Sequence, residues 1–405
     1  MSKVNVEIED IEQARGVLRK YLEPTPLIYN RWLSEIMDCS VFLKLENMQP
    51  IGSFKIRGAT YKISRLTKAQ RKKGVIAASA GNHAQGVAWG ALQFGTKATI
   101  IMAKTASITK IERTKALGAH VILDGNNYDE AFQIAKKVSK KTGKVFVHPF
   151  EDPDVISGQG TVGLEIAEQL PEVDTVIGSL GGGGLMAGVS LALKAIKPNV
   201  EIVGTQASGA SSLVRMIKSG KPGDLTADTF ADGVRVMKPS SEMAKVLRPI
   251  IDRTLTASDD EIALALLVLL EKAKVIAEGA GALPFAVLKA NQKLFRGKNV
   301  VLIVSGGNID ISLLARIVER GLILSGRRLR LDVHIKDFPG SLLRVTQELA
   351  NLHANVIQVI HDRNALSMGI NETRVELTLE TRDPEHANEI IKTLKQIVVK
   401  VDRVH

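Results

Sequence analysis

Four short stretches hold residue types able to do chemistry. Ser53-Phe54-Lys55-Ile56-Arg57-Gly58-Ala59 sets a lysine among apolar and small residues. An amine taken out of water loses proton affinity and becomes a better nucleophile or base. The plain alternative is a lysine snorkelling at a helix start behind a Ser53 cap. Ser79-Ala80-Gly81-Asn82-His83 follows an apolar run and precedes a helical pattern. Small residues there let backbone N–H groups converge on an anion, a carboxylate for instance, at a helix N-terminus. An ordinary turn capped by Asn82 is the alternative, and a lone His83 is more often structural than basic.

Gly181-Gly182-Gly183-Gly184-Leu185 again lies between a strand pattern and a helix pattern. Four consecutive glycines cost backbone entropy and suit a loop that wraps a phosphate. The spacing is not G-x-x-x-x-G-K-S/T, which excludes a P-loop. A dinucleotide loop stays open for this stretch alone, but it lies mid-chain and no acid follows at the next strand end. Ser305-Gly306-Gly307-Asn308 closes the set. Its hydroxyl can meet a ring nitrogen or simply cap a helix.

The elements that must position these stretches alternate. β-branched runs at Gly74–Ser79, Ala98–Met102, Val121–Leu123, Val145–Val147, Thr175–Ile177, Glu201–Thr205 and Asn299–Val304 are separated mostly by helical spacing, as in Asn82–Phe94, Ile108–Leu117 and Leu185–Ile196. That order predicts parallel sheets covered by helices on both faces, with ligands at the carboxyl ends of strands. The texture changes near Ser325-Gly326-Arg327-Arg328. Beyond it the pattern reads strand (Leu329–Ile335), helix (Leu342–Leu352), strand (Ala354–Asp362), strand (Arg374–Glu380), helix (Pro384–Gln396), strand (Val398–Asp402). This is the βαββαβ order of a ferredoxin-like domain.

Composition narrows the function classes. With 405 residues the chain exceeds one ordinary core, so two or three domains are expected. Aromatics at 4% are too sparse for a base-stacking wall. The net charge of +11 is not gathered in the tail, which is near neutral. The densest basic stretch, Lys136–Lys144, ends a predicted helix, where cations complement the dipole. No nucleic-acid partner is therefore expected. The single Cys39 suits a reducing, cytoplasmic setting. Met1–Leu22 lacks the cationic start and apolar core of a signal peptide, and no apolar run is long enough to span a membrane.

Together and in this order, the stretches resemble the threonine dehydratase branch of the fold-type-II pyridoxal-phosphate (PLP) enzymes. The resemblance runs from about residue 20 to 320, through Leu43–Asn47, Ser53–Ala59, Ser79–His83, His148-Pro149-Phe150, Gly158–Thr161, Gly181–Leu185, Ala231-Asp232-Gly233, Glu278–Ala282 and Ser305–Asn308. The last ~75 residues resemble an ACT domain. The resemblance implies two three-layer α/β/α domains, tryptophan synthase β-like, within a catalytic unit over residues 1–322. Its smaller subdomain falls at roughly 48–150. A linker is expected at 323–328 and the ACT regulatory domain at 329–405.

It further implies that Lys55 bonds to PLP and that the backbone of Gly181, Gly182, Gly183, Gly184 and Leu185 holds its phosphate. Asn82 meets the ring hydroxyl, Ser305 meets the ring nitrogen and Phe54 packs on the ring. The loop Ser79, Ala80, Gly81, Asn82 and His83 takes the substrate carboxylate. The implied activity is dehydration and deamination of L-threonine to 2-oxobutanoate, and of L-serine to pyruvate. ACT domains pair at a shared edge and bind amino acids there. Asp337, Phe338, Pro339 and Gly340, with Asn355, are the regulatory contacts implied, isoleucine the implied effector, and a dimer or tetramer the implied assembly.

Departures refine the picture. Serine racemases of this fold place a serine just before Gly-Asn-His, where this chain has Ala80. Their acidic metal ligands correspond here to Gln206 and Ser212, with Ala210 between, so no divalent metal is expected; a monovalent cation held by carbonyls stays open. Lys-Ile-Arg, not Lys-Asp-Arg, points away from threonine and cysteine synthases. The competing readings are a serine or 3-hydroxyaspartate dehydratase, a serine racemase, and a non-catalytic amino-acid-binding regulator.

Overall fold

The computed structural model describes residues 5–222, 225, 227–363 and 369–404. The chain forms two compact units, Met1–Asp310 and Ile311–His405. In the first, β1 (Leu27–Tyr29) and β2 (Ser40–Leu45) pair antiparallel. The chain then leaves to build a separate parallel sheet from β3 (Val75–Ala78), β4 (Ala98–Met102), β5 (His120–Leu123) and β6 (Val145–Phe146), ordered β5-β4-β3-β6. It returns with β7 (Thr175–Ser179), β8 (Glu201–Ala207), β9 (Arg253–Ala257) and β10 (Asn299–Val304). These complete a second sheet, ordered β1-β2-β10-β7-β8-β9 and parallel except at β1.

Parallel strands buried on both faces must be apolar on both, which is why β3, β4 and β7 read as unbroken buried runs. Val75, Ala77, Ile100 and Met102 join a core with helices Lys55–Ser64 and Asn82–Gln93. Their neighbours Ile76, Ala78 and Ile101 pack instead with Ala131 and Ala135 of helix Tyr128–Thr142. In the larger sheet, Val176, Ile202, Val301 and Ile303 share a core with helices Pro153–Gln169 and Gly184–Ile196. Helix Gly279–Ala290 packs along β7 to β10 and contributes nothing to that core. Both sheets are thus the middle layers of α/β/α sandwiches, as expected. The periodicity did not disclose β1, β2 or β9. In β2 the apolar run is broken by Lys44, which is nevertheless fully buried.

The second unit contains helix Ile311–Leu324, β11 (Arg328–Lys336), helix Ser341–Asn351, β12 (Asn355–Asp362), β13 (Glu372–Glu380), helix Pro384–Leu394 and β14 (Lys400–Arg403). Its antiparallel order β12-β13-β11-β14 is ferredoxin-like. Leu329, Leu331, Val333 and Ile335 alternate inward from β11 onto Val345, Leu349, Ala387, Ile390 and Leu394 of its two later helices. The boundary expected at residue 322 is corrected by these contacts. Helix Ile311–Leu324 goes with the second unit, because Glu319 pairs with Arg328 and Arg330 of β11 at 3.3 and 2.9 Å. Residues 323–328 are no extended linker: they end that helix, turn, and begin β11. Among the described residues, no helix is long and apolar enough to cross a membrane.

Candidate active site

Lys55 is the first residue of a helix, but Ser53 does not cap it. Phe54 occupies the cap position, while Ser53 bridges to Gly306 and its buried hydroxyl has no partner. The Phe54 amide donates to the Ser305 carbonyl at 3.1 Å, and the Gly307 amide to the Gly52 carbonyl at 2.9 Å. The lysine motif is therefore tied to the loop that follows β10. No helix starts at Ser305, which is buried at the strand end rather than acting as a cap. The Lys55 amine donates to the Pro149 carbonyl at 2.8 Å and lies 5.1 Å from the Phe54 ring centre. Burial pushes it down to about 8, against the opposing pull of the Glu278 carboxylate.

Asn82 is likewise no cap. Gly81 takes that position, and Asn82 Nδ2 donates to Glu278 Oε1 at 2.8 Å while its Oδ1 accepts from Asn308 Nδ2 at 2.8 Å. Asn308 also donates to the Ile51 carbonyl at 2.7 Å. Burial raises the Glu278 carboxyl, and the Asn82 hydrogen bond works against it. Asn82, Glu278 and Asn308 thus join the three loops after β3, before helix Gly279–Ala290 and after β10. The His83 ring is turned away into the core. Its Nε2 donates to the Val147 carbonyl at 3.0 Å, its Nδ1 has no partner, and burial pushes it down to about 3. Backbone groups of this segment, the Ser79 hydroxyl, which accepts from Gly81 N at 3.1 Å, and the second Nδ2 proton of Asn82 remain to face a ligand.

The glycine loop leads from β7 into helix Gly184–Ile196, whose first-turn amides have no acceptor within the helix. Gly183 sits at φ +94°, in the left-handed region, and a side chain there would also meet Leu247 at 2.7 Å. A Cβ on Gly182 would run into the Phe150 ring, and one on Gly184 would meet the Phe150 backbone at 2.9 Å. Phe150 follows Pro149, so one short segment contacts both the Lys55 amine and the glycine loop. A reactive amine, a cluster of polar groups and a helix N-terminus suit an anionic aldehyde cofactor, and the donor set fits PLP. Gly182→Ala is expected to displace Phe150 and weaken PLP binding at least about tenfold, or about 1.4 kcal/mol. Titration of cofactor-stripped protein measures this.

Beneath Lys55, the Arg57 guanidinium is 2% exposed and pairs with two buried carboxylates. It meets both oxygens of Glu46 at 2.8 Å and those of Glu165 at 2.5 and 2.8 Å. Lys44 adds a bond to Glu165 at 2.6 Å and one to the Thr25 carbonyl at 2.7 Å. This network fastens the lysine helix to β2 and to helix Pro153–Gln169. Across the same unit, Lys110 meets Asp232 at 2.6 Å, and the charges of both reach Glu278. At the positions compared with metal ligands, Gln206 Oε1 accepts from Val214 N at 2.8 Å and the Ser212 hydroxyl donates to Val236 O at 3.0 Å.

The expected regulatory residues do not meet within one chain. Asp337 to Gly340 follow β11 at the end of its ladder where Lys336 faces Glu372, and Asp337 pairs there with Arg363 at 3.1 Å. Asn355 stands opposite Glu380, at the Arg328 end, and donates to its carboxylate at 3.0 Å. The whole length of β11 separates the two ends, roughly 25 Å.

A PLP cradle built at the carboxyl ends of parallel strands defines a class, and comparison with known proteins agrees. The sequence pattern of the pyridoxal-phosphate-dependent enzyme family matches residues 18–306, and the chain belongs to that family. It is 45% identical over 390 residues to an L-threonine ammonia-lyase of Thermotoga maritima, covering 96% of this chain and 97% of that protein. Among solved structures, the processed threonine deaminase isoform 2 of Solanum lycopersicum superposes with a TM-score of 0.72 at 35% identity, covering 79% of this chain and 97% of that one. A maize serine racemase superposes with a TM-score of 0.73 at 34% identity, covering 79% and 98%.

Proposed function

We propose that the chain is a threonine ammonia-lyase. It converts L-threonine to 2-oxobutanoate and ammonia, and L-serine to pyruvate and ammonia. The observation that carries this reading is the depressed Lys55 amine beside the Pro149 carbonyl, on a segment that also packs against the glycine loop. Bound PLP supplies an electron sink for the charge left at Cα when its proton is removed. Lys55 anchors the cofactor and, once free, is the base beside Cα. The amides of Gly181–Gly184 and Leu185 hold the phosphate, Asn82 the ring hydroxyl, and Phe54 the ring face. Ser79–His83 receives the substrate carboxylate through backbone groups. Ser305 offers the ring nitrogen a neutral hydroxyl, so no carboxylate holds a proton there, which favours elimination over transamination. Ala80 has no acid–base group to return a proton to the opposite face, which favours elimination over racemisation.

The ferredoxin-like unit serves as an ACT-type sensor of isoleucine in a homo-oligomer. The edge strand β12 exposes Ile357, Val359 and Ile360. Antiparallel pairing of two such edges carries Asn355 of one copy to the Asp362 end of the other, beside its Asp337–Gly340 loop. Isoleucine is expected to change activity by a coupling energy of about 1–3 kcal/mol. Asp337→Ala with Asn355→Ala should lose that response and keep basal turnover, as read from initial rates with and without isoleucine.

The substrate is tested by offering L-threonine, L-serine and 3-hydroxyaspartate and identifying 2-oxobutanoate, pyruvate and oxaloacetate. Preferred formation of 2-oxobutanoate supports the proposal. Pyruvate or oxaloacetate alone would keep the chemistry and overturn the substrate.

A further inference from the structure

The segment Val147–Glu151, between β6 and helix Pro153–Gln169, carries a histidine that the reaction described above does not use. The amides of Phe150 and Glu151 donate to His148 Nδ1 at 3.3 and 2.8 Å. A nitrogen accepting two N–H groups carries no proton, so the ring is the neutral Nε2–H tautomer. Burial, then the charges of Lys136 and Lys55, push the imidazole down to about 3 and keep it neutral. The rings of Phe150, Phe132 and Phe146 surround it, with centroids 4.7, 5.4 and 6.1 Å away. The other titratable groups facing it are the Glu151 carboxylate, 3.8 Å from Nε2, and His83.

The turn closed by this ring presents its other groups to the active site. The Pro149 carbonyl accepts from the Lys55 amine, the Val147 carbonyl accepts from His83, and Phe150 fills the space beside Gly182. Glu151 anchors the far end by accepting from the Ser240 hydroxyl at 2.5 Å. Without an acceptor at Nδ1, two amides lose their partner and the turn must open to find others.

We infer that His148 is a positioning residue for Lys55: its bare Nδ1 closes the turn that holds the Pro149 carbonyl against the lysine amine and Phe150 against the glycine loop. This rests on Lys55 being the reactive amine. Asparagine can place its side-chain oxygen near the Nδ1 position, whereas glutamine and leucine cannot.

The first test is nitrogen NMR of histidine-labelled holoenzyme, with the His148 signal assigned by its loss in His148→Asn. An unprotonated Nδ1 from about pH 8 to about pH 5 is expected; a protonated Nδ1 overturns the inference. This reading holds whatever the substrate proves to be. In the second test, His148→Leu is expected to lose about 10²-fold in kcat with little change in KM, because ångström misplacement of a reacting group costs that much. His148→Asn should recover most of the loss. Should the leucine variant fail to fold, His148→Gln takes its place. Equal kcat for the wild type and the acceptor-less variant overturns the inference.

Discussion

Lys55→Ala is expected to lower turnover of L-threonine by about 10⁴-fold or more, since it removes both the cofactor anchor and the base beside Cα. The glycine loop and the helix N-terminus do not depend on Lys55, so the variant should still bind PLP, though without a covalent bond. Loss of activity with retained cofactor, read by steady-state assay and by absorbance after desalting, is the expected combination. The wild-type enzyme adds a pH signature. A base must be unprotonated to act, and burial holds the Lys55 amine down at about 8. Turnover should therefore rise with pH through about 8 and level above it. A limb near the ordinary lysine value of about 10.4 would mean the amine is solvated in the working enzyme.

The second large effect lies two residues away. Arg57→Leu leaves Glu46 and Glu165 facing one another in the core, with Lys44 the remaining buried cation beside them. Removing one partner of a buried ion network is expected to cost about 3–5 kcal/mol, because the desolvated charges it neutralised stay behind. Urea denaturation at neutral pH measures the loss. Arg57→Met combined with Glu46→Leu should recover a substantial part, since it removes the stranded Glu46 charge and leaves Glu165 paired with Lys44. If Arg57→Leu alone is as stable as the wild type, the network contributes nothing to holding the lysine helix.

The candidate positions stood out in the sequence because each is local. A lysine among apolar residues, four glycines after a strand, and small residues before a helix are patterns within a few positions. Their partners are not local. Lys55 meets Pro149 across 94 positions, Asn82 meets Glu278 across 196, and Arg57 meets Glu165 across 108. Composition carries no trace of such pairings. Glu278 had one visible signal, an acid set among Gly-Ala-Gly-Ala just before a helix, but nothing in it named Asn82. Lys44 misled in a related way: its charge broke the apolar pattern of β2, while the carboxylate that permits its burial lies far along the chain.

The ferredoxin-like unit was legible strand by strand, since one-sided sheets alternate apolar and polar residues. Its start was not. Helix Ile311–Leu324 has the same amphipathic texture as the helices before it, and its packing on β11 with the Glu319 ion pairs reveals the sheet it accompanies. The cap readings failed for two reasons. The Asn82 side chain is drawn off by Glu278 and Asn308, while Ser53 and Ser305 lie where the backbones of two loops pair with one another.

The central claim is that one amine, Lys55, carries the PLP chemistry. Reducing the holoenzyme with borohydride and mapping the modified peptide by mass spectrometry tests it most directly. A single adduct of reduced cofactor on Lys55, prevented when L-threonine is turning over as the reductant is added, is the predicted result. An adduct on another lysine, or none in protein replete with cofactor, would contradict the account.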